Sequence, residues 1–172
     1  MSAIDRFFKG LFALGAGLSL ASIFLIIFVN SLRRYTIGES FAWGEELPIY
    51  LAIYGVMFGL GLAYLQDRHI RFTILTDFLP EALKARLFAL VDLVSVGIGA
   101  SLFWSGVVFA GRRSQIEASG LIGAAGDLVD ATGAEWLIWI GRMGTYQSAI
   151  AFGGAVLTLA ALVRFATRIR GA

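Results

Sequence analysis

Residues 47–66 read LPIYLAIYGVMFGLGLAYLQ, twenty positions without Asp, Glu, Lys, Arg or His. Coiled as an α-helix at about 1.5 Å per residue, the stretch reaches about 30 Å, the thickness of a bilayer's hydrocarbon core. Three further stretches have the same character: residues 10–32, residues 93–111 (or 87–111 with Asp92 admitted) and residues 143–163. None alternates apolar and polar positions as a membrane barrel strand does. Lipid offers no partners to open backbone, so spans of this kind are helices. The expected fold is an all-α integral membrane protein. Its four transmembrane helices lie at about residues 10–32, 47–66, 87–111 and 143–163, in a single domain over residues 1–172.

Composition agrees. Of the 172 residues 58% are hydrophobic and 15% charged, against about 25% charged in soluble domains. The mean hydropathy is +0.80. Four buried helices of this size in a water-soluble protein would need a far larger polar shell. The chain has no cysteine, which excludes disulfides, thiolate metal sites and iron–sulfur clusters. Its single histidine excludes a bis-histidine haem or a multi-histidine metal site within one chain. No cofactor and no metal are expected. No basic run is long enough for nucleic acid. The first span is preceded by Asp5, Arg6 and Lys9, but its apolar run exceeds that of a signal peptide, and Asn30-Ser31-Leu32 is no cleavage site.

Orientation follows from lysine and arginine. With four spans, both termini and the second loop share a side, which holds Arg6, Lys9, Arg68, Arg71, Lys84, Arg86, Arg164, Arg168 and Arg170. The other side holds Arg33, Arg34, Arg112, Arg113 and Arg142. The positive-inside rule then places both termini in the cytoplasm. At the N-terminus, Ile4, Phe7, Phe8 and Leu11 recur at helical spacing between charges. This predicts either a short amphipathic helix on the membrane surface or a plain extension of the first span. In the second loop Ile70, Ile74 and Phe78 repeat every four residues, and Pro80-Glu81 marks a helix start. That loop is expected to hug the interface. The third loop, residues 112–142, is the longest. Trp136 and Trp139 mark its return to the bilayer, as Trp43 marks the entry of the second helix.

Candidate chemistry is sparse. Asp92 is the one ionised residue inside a span, six positions past Arg86. An intramembrane acid is by default a functional candidate, but Asp92 stands near the cytoplasmic end, where an ion pair with Arg86 or Lys84 is expected. His69 has no visible nucleophile or orienting partner, so no enzyme chemistry is read. Small residues form three stripes: Gly55, Gly59 and Ala63 with Ala52; Ala13, Gly17 and Ala21; and Gly97, Ser101 and Ser105. Such stripes let helices approach closely in lipid, within the chain or against a partner. In Trp43-Gly44-Glu45-Glu46-Leu47, two acids open a membrane helix, where the helix dipole favours them or a partner at the outer interface meets them.

Taken in order, the segment from Ser40 through Trp43, Glu45-Glu46-Leu47, the Gly/Ala-rich second helix, Arg68-His69-Ile70-Arg71 and Leu79-Pro80 resembles the small membrane subunit of tripartite ATP-independent periplasmic (TRAP) transporters. The resemblance covers roughly residues 30–90. The chain departs from the family's pattern at Pro48, Asp67 and Thr73, and its final third matches poorly. The resemblance implies a non-catalytic subunit in a bacterial inner membrane, partnered by a large membrane subunit and a periplasmic substrate-binding protein. It implies ion-gradient-driven uptake of organic acids, with the small subunit bracing the scaffold of the large one. Trp43, Glu45, Glu46, Arg68 and His69 carry over as partner contacts, and Gly55 and Gly59 join them as packing positions. The alternative is a self-contained small channel or transporter assembled as a homo-oligomer.

Overall fold

The computed structural model describes residues 3–66 and 79–171. Over these the chain is helical: α1 (Ala3–Ile37), α2 (Trp43–Leu65), α3 (Glu81–Arg112), α4 (Ile122–Thr132), a 3-10 helix (Glu135–Gly141), α5 (Met143–Gln147) and α6 (Ala149–Gly171). Among the described residues there is no strand, and Glu117 and Arg142 form one isolated antiparallel bridge. Four segments are long and apolar enough to cross a membrane: Ala3–Ile37, Trp43–Leu65, Leu83–Arg112 and Met143–Ile169. They contain three of the four expected spans whole and the second, 47–66, all but its last residue, Gln66, which caps the helix.

The ends differ from expectation in instructive ways. Residues 3–9 continue α1 without a break, so the N-terminus is an extension of the first span rather than a separate helix. Lys9 Nζ pairs with Asp5 one turn earlier at 2.8 Å, and Phe8 packs beside the buried Phe12, so the apolar face runs on. At 35 residues α1 is about 52 Å long and overshoots the hydrocarbon core. It stops at Gly38, whose φ of +85° reverses the chain while its N–H reaches Arg34 O at 3.1 Å. Gly133, at φ +68°, ends α4 in the same way on Val129 O. α3 begins directly after Pro80, as its sequence predicts. The expected interfacial second loop lies outside the described residues.

The four long helices pack as an open, staggered row with the principal neighbours in the order α1, α2, α6, α3; α1 also touches α6, and Tyr64 of α2 reaches α3. α2 contacts α1 on one side and α6 on the other, while α3 rests chiefly on α6. Glycine sets these contacts, because without a hydrophobic drive between helices in lipid the association depends on close van der Waals fit. A Cβ at Gly15 of α1 would stand 2.6 Å from the Phe58 ring of α2, and one at Gly55 3.0 Å from Ser19 Cβ. Gly61 and Gly153 seat Val156 and Met57 between α2 and α6. Gly106 and Gly154 bring the α3 and α6 backbones into direct contact, at Ala151 and Phe103 respectively. The core lies at the α1–α2–α6 junction, where Phe12, Leu65, Val156 and Ala160 are buried under Phe8, Phe58 and Phe152.

Two of the three expected small-residue stripes are not used inside the chain. Ala13, Gly17 and Ala21 are exposed, as are Gly97, Ser101 and Ser105, and a Cβ at Gly17 or Gly97 would meet nothing within 4 Å. α1 instead faces α2 with Phe12, Gly15, Ser19 and Asn30. That face lies a quarter-turn or more around the helix from the stripe, because each residue advances the helix by about 100°.

Candidate functional site

The conspicuous acidic segment folds into a latch at one end of the molecule. Trp43 to Leu47 form the first turns of α2, and the residues after α3 return over them. Glu46 lies half-buried, and its carboxylate divides its bonds. One oxygen accepts the Tyr50 hydroxyl at 2.6 Å and the other the Gly120 N–H at 2.7 Å. Gly120 has no room for a side chain, because a Cβ there would stand 2.6 Å from the same carboxylate. Tyr50 stacks on Tyr146 with ring centres 4.0 Å apart. Ala118, Leu121 and Tyr146 close a small core under Trp43, Leu47 and Tyr50. Ala118 N–H donates to Gly141 O and Met143 N–H to Ile116 O, each at 2.8 Å, which ties the two ends of the third loop together. On the neighbouring turn, Asn30 accepts the Phe41 N–H at 2.7 Å and fills the space left by Gly44.

This geometry sorts the residues read as partner contacts. Glu46 serves its own chain, whereas Glu45, one position earlier, is exposed. Trp43 stacks on Phe41 at 5.2 Å and packs on the loop core, leaving it half-buried. Gly55 is occupied by Ser19 of α1, while Gly59 has open space above it. Arg68 and His69 lie outside the described residues. The long third loop is itself a folded lobe of α4 and the 3-10 helix, with Trp136 and Trp139 each 71% exposed.

At the opposite end, Asp92 is only 3% exposed. Its Oδ2 accepts Arg168 Nε at 2.6 Å and its Oδ1 the Tyr64 hydroxyl at 2.8 Å. The ion pair is therefore with Arg168, not with Arg86 as expected. Six positions on a helix turn Arg86 about 120° away from Asp92, and Arg86 is exposed. Arg168 belongs to α6, which runs antiparallel to α3 with Thr158 opposite Gly99 and Ala151 opposite Gly106. Helical side chains lean toward the N-terminus, so Arg168 reaches back about a turn to meet Asp92. Its guanidinium also lies 5.0 Å from the Phe88 ring centre. Residues from α2, α3 and α6 thus meet at one buried carboxylate. Sequence reading missed Arg168 and Tyr64. The available signal was that an acid on α3 faces whichever helix runs antiparallel beside it, and α6 carries Arg164 and Arg168 at that level.

Nothing in either constellation resembles a catalytic set, and among the described residues no three of His, Cys, Asp and Glu converge on a point. What the geometry defines is a multi-pass helical membrane protein with a latched lobe at one end and a buried ion pair at the other. Residues 23–171 match the family described as tripartite ATP-independent periplasmic transporters, DctQ component. The chain belongs to that family. Among individual proteins, it is 29% identical over 75 residues to one from Haemophilus influenzae described as a TRAP transporter small permease protein. The aligned segment is 44% of this chain and 47% of that protein, about half the length of the relative.

Proposed function

We propose that this subunit is a fixed wall beside a large transport subunit, bracing the scaffold against which that subunit moves, and that it carries no substrate itself. One observation supports this most: Asp92, the sole acid within the apolar stretches, is committed to Arg168 and Tyr64. A transport carboxylate must be free to exchange its ion. The open row supports it too, because the outer flanks of α1 and α3 present large apolar side chains such as Leu14, Leu18, Val94 and Ile98 to their surroundings. In this reading both termini are cytoplasmic, the membrane is the bacterial inner membrane, and the latched lobe faces the periplasm. A periplasmic binding protein delivers an organic acid and an ion gradient drives its entry. Glu45, Trp43, Gly59, Arg68 and His69 remain the proposed contacts with the large subunit.

Reconstitution tests the proposal. The purified chain alone in liposomes passes no organic acid and no ions. Uptake begins only when the large subunit and the binding protein are added. Glu45→Lys combined with Gly59→Leu reduces co-purification with the large subunit while the chain still folds. Solute flux through the chain alone would refute the wall and favour a homo-oligomeric channel.

A further inference from the structure

Between the end of α3 and the segment that leads into α6 (the 3-10 helix, α5 and Ser148) lies a cleft of about 490 Å³. Gly111, Ser114 and Gln115 form one wall, Trp139 and Arg142 the rim, and Ser148 the floor. The rim is cationic. Arg142 Nη1 donates to Gln115 Oε1 at 2.9 Å and to Gln115 O at 3.2 Å, which fixes the guanidinium. A guanidinium carries five N–H donors, so Nη2 and Nε keep theirs. Among the described residues it meets no carboxylate. The hydroxyls nearby are turned on backbone: Ser114 donates to Gly111 O at 2.8 Å and Ser148 to Thr145 O at 2.6 Å. The charged donors at this end of the cleft therefore come from Arg142, beside the neutral N–H groups of the Gln115 amide and the Trp139 indole.

Below the cleft runs an apolar trough between the same two helices, lined by Ala100, Phe103, Ala155, Thr158 and Leu159. It exists because Gly106 and Gly154 draw the backbones together while Ala100 and Ala155 are too small to fill the seam. Thr158 gives its hydroxyl to Gly154 O at 2.8 Å and presents its methyl to the trough. Cleft and trough lie on one face. Ser148, the residue just before α6, precedes Ala155 and Leu159 of that helix by seven and eleven residues, and on α3 Ala100, Phe103 and Ala110 follow a helical repeat that points toward Ser114, just past its end. From Ser148 to Leu159 the axial distance is about 16 Å. One leaflet's half of the roughly 30 Å hydrocarbon core is about 15 Å.

A fixed cation, an exposed Trp139 beside it and an apolar trough on the same face, which together with the cleft reaches about one leaflet, match a single class of ligand. We infer that the α3–α6 seam is a phospholipid seat, with the phosphate on Arg142 and one acyl chain in the trough. This occupant is a membrane lipid and not a free anion, since the apolar channel has no use for a phosphate alone.

The full chain, purified in mild detergent and examined by native mass spectrometry with phosphatidylglycerol as probe, tests this. The wild type retains one phosphatidylglycerol, and diacylglycerol, which lacks the phosphate, is retained about tenfold less. Arg142→Gln lowers retention by a similar factor, while Arg142→Lys keeps most of it. Ala155→Phe, which fills the trough, also lowers retention. Arg34→Gln, an arginine at the same end but outside the cleft, changes nothing. Circular dichroism and monodisperse elution show that each variant folds, and Arg142→Gln decides alone if Ala155→Phe does not. Retention unchanged in Arg142→Gln overturns the seat. So does complete displacement of the lipid by excess inorganic phosphate, which marks a free-anion site. Arg142→Gln losing the large subunit while keeping its lipid also overturns it, because the cleft then belongs to a protein segment. The chain alone suffices for the lipid measurements, so failure of the wall proposal leaves this result standing, and the reverse.

Discussion

Replacing Arg168 with methionine keeps an unbranched apolar stem and removes the charged guanidinium. Asp92 would then sit 3% exposed with Tyr64 as its remaining described partner. Breaking a buried pair by removing one partner costs about 3–5 kcal/mol, because the orphaned charge stays behind. Two features place this case at the low end. Arg168 is 22% exposed, and unfolded states within membranes find substitute partners, which lowers measured couplings. About 3 kcal/mol is expected, equivalent to roughly 6–12 °C in melting temperature for a chain of this size. Removing both charges, as Arg168→Met with Asp92→Leu, should recover most of it. What remains is about 1 kcal/mol for the hydrogen bond between Tyr64 and Asp92. Thermal unfolding of the four proteins of this cycle in one detergent supplies the measurement, with Arg86→Met alongside. The reasoning fails if the double variant is as unstable as Arg168→Met, since the cost would then be lost packing. It fails also if Arg86→Met destabilises as much as Arg168→Met.

Three further outcomes follow from the packing. Glu46→Ala strands the Gly120 N–H and leaves the Tyr50 hydroxyl only the weak acceptor Met143 Sδ at 3.3 Å, and should cost about 1.5–3 kcal/mol; hydrogen exchange at residues 118–122 should rise while the long helices stay protected, and unchanged exchange there would rule out the latch. Gly154→Leu forces α3 from α6 and should cost more than the about 1–3 kcal/mol of ordinary overpacking, because the obstacle is backbone; a melting temperature equal to wild type would contradict the contact. Gly55→Leu should destabilise the isolated chain through Ser19, whereas Gly59→Leu should leave it unchanged, and equal melting of the two variants would show that α1 does not cover Gly55.

The four spans were legible because a run of twenty uncharged residues has few alternatives at any level of structure. The start of α3 was legible because proline fixes a helix entry at Pro80. Pairing was much harder to read. Gly97 and Gly99 stand two positions apart and look alike in sequence, yet Gly97 faces open space and Gly99 lies against Thr158. In lipid, apolar residues on both faces satisfy the surroundings, so hydropathy no longer says which face turns inward. The partner of Asp92 was misread because a nearby charge in sequence was taken before the antiparallel neighbour. Glu46 and Glu45 are chemically the same, and only the return of Gly120 separates their roles. The third loop gave no periodic signal strong enough to announce a folded lobe, whose order comes from main-chain bonds between its two ends.

Helices set side by side about 8–10 Å apart extend about 24–30 Å between the outermost axes when they stand in single file. The same four gathered in a square would span less than half that distance corner to corner. For a given length of chain, single file therefore gives the greatest width in the plane of the bilayer, and the greatest resistance to being turned or dragged through it. Such a palisade has a cost, since two long flanks need company from lipid or from another protein at every level. If the subunit is the wall proposed above, this footprint makes it work by breadth, in the way a keel steadies a hull.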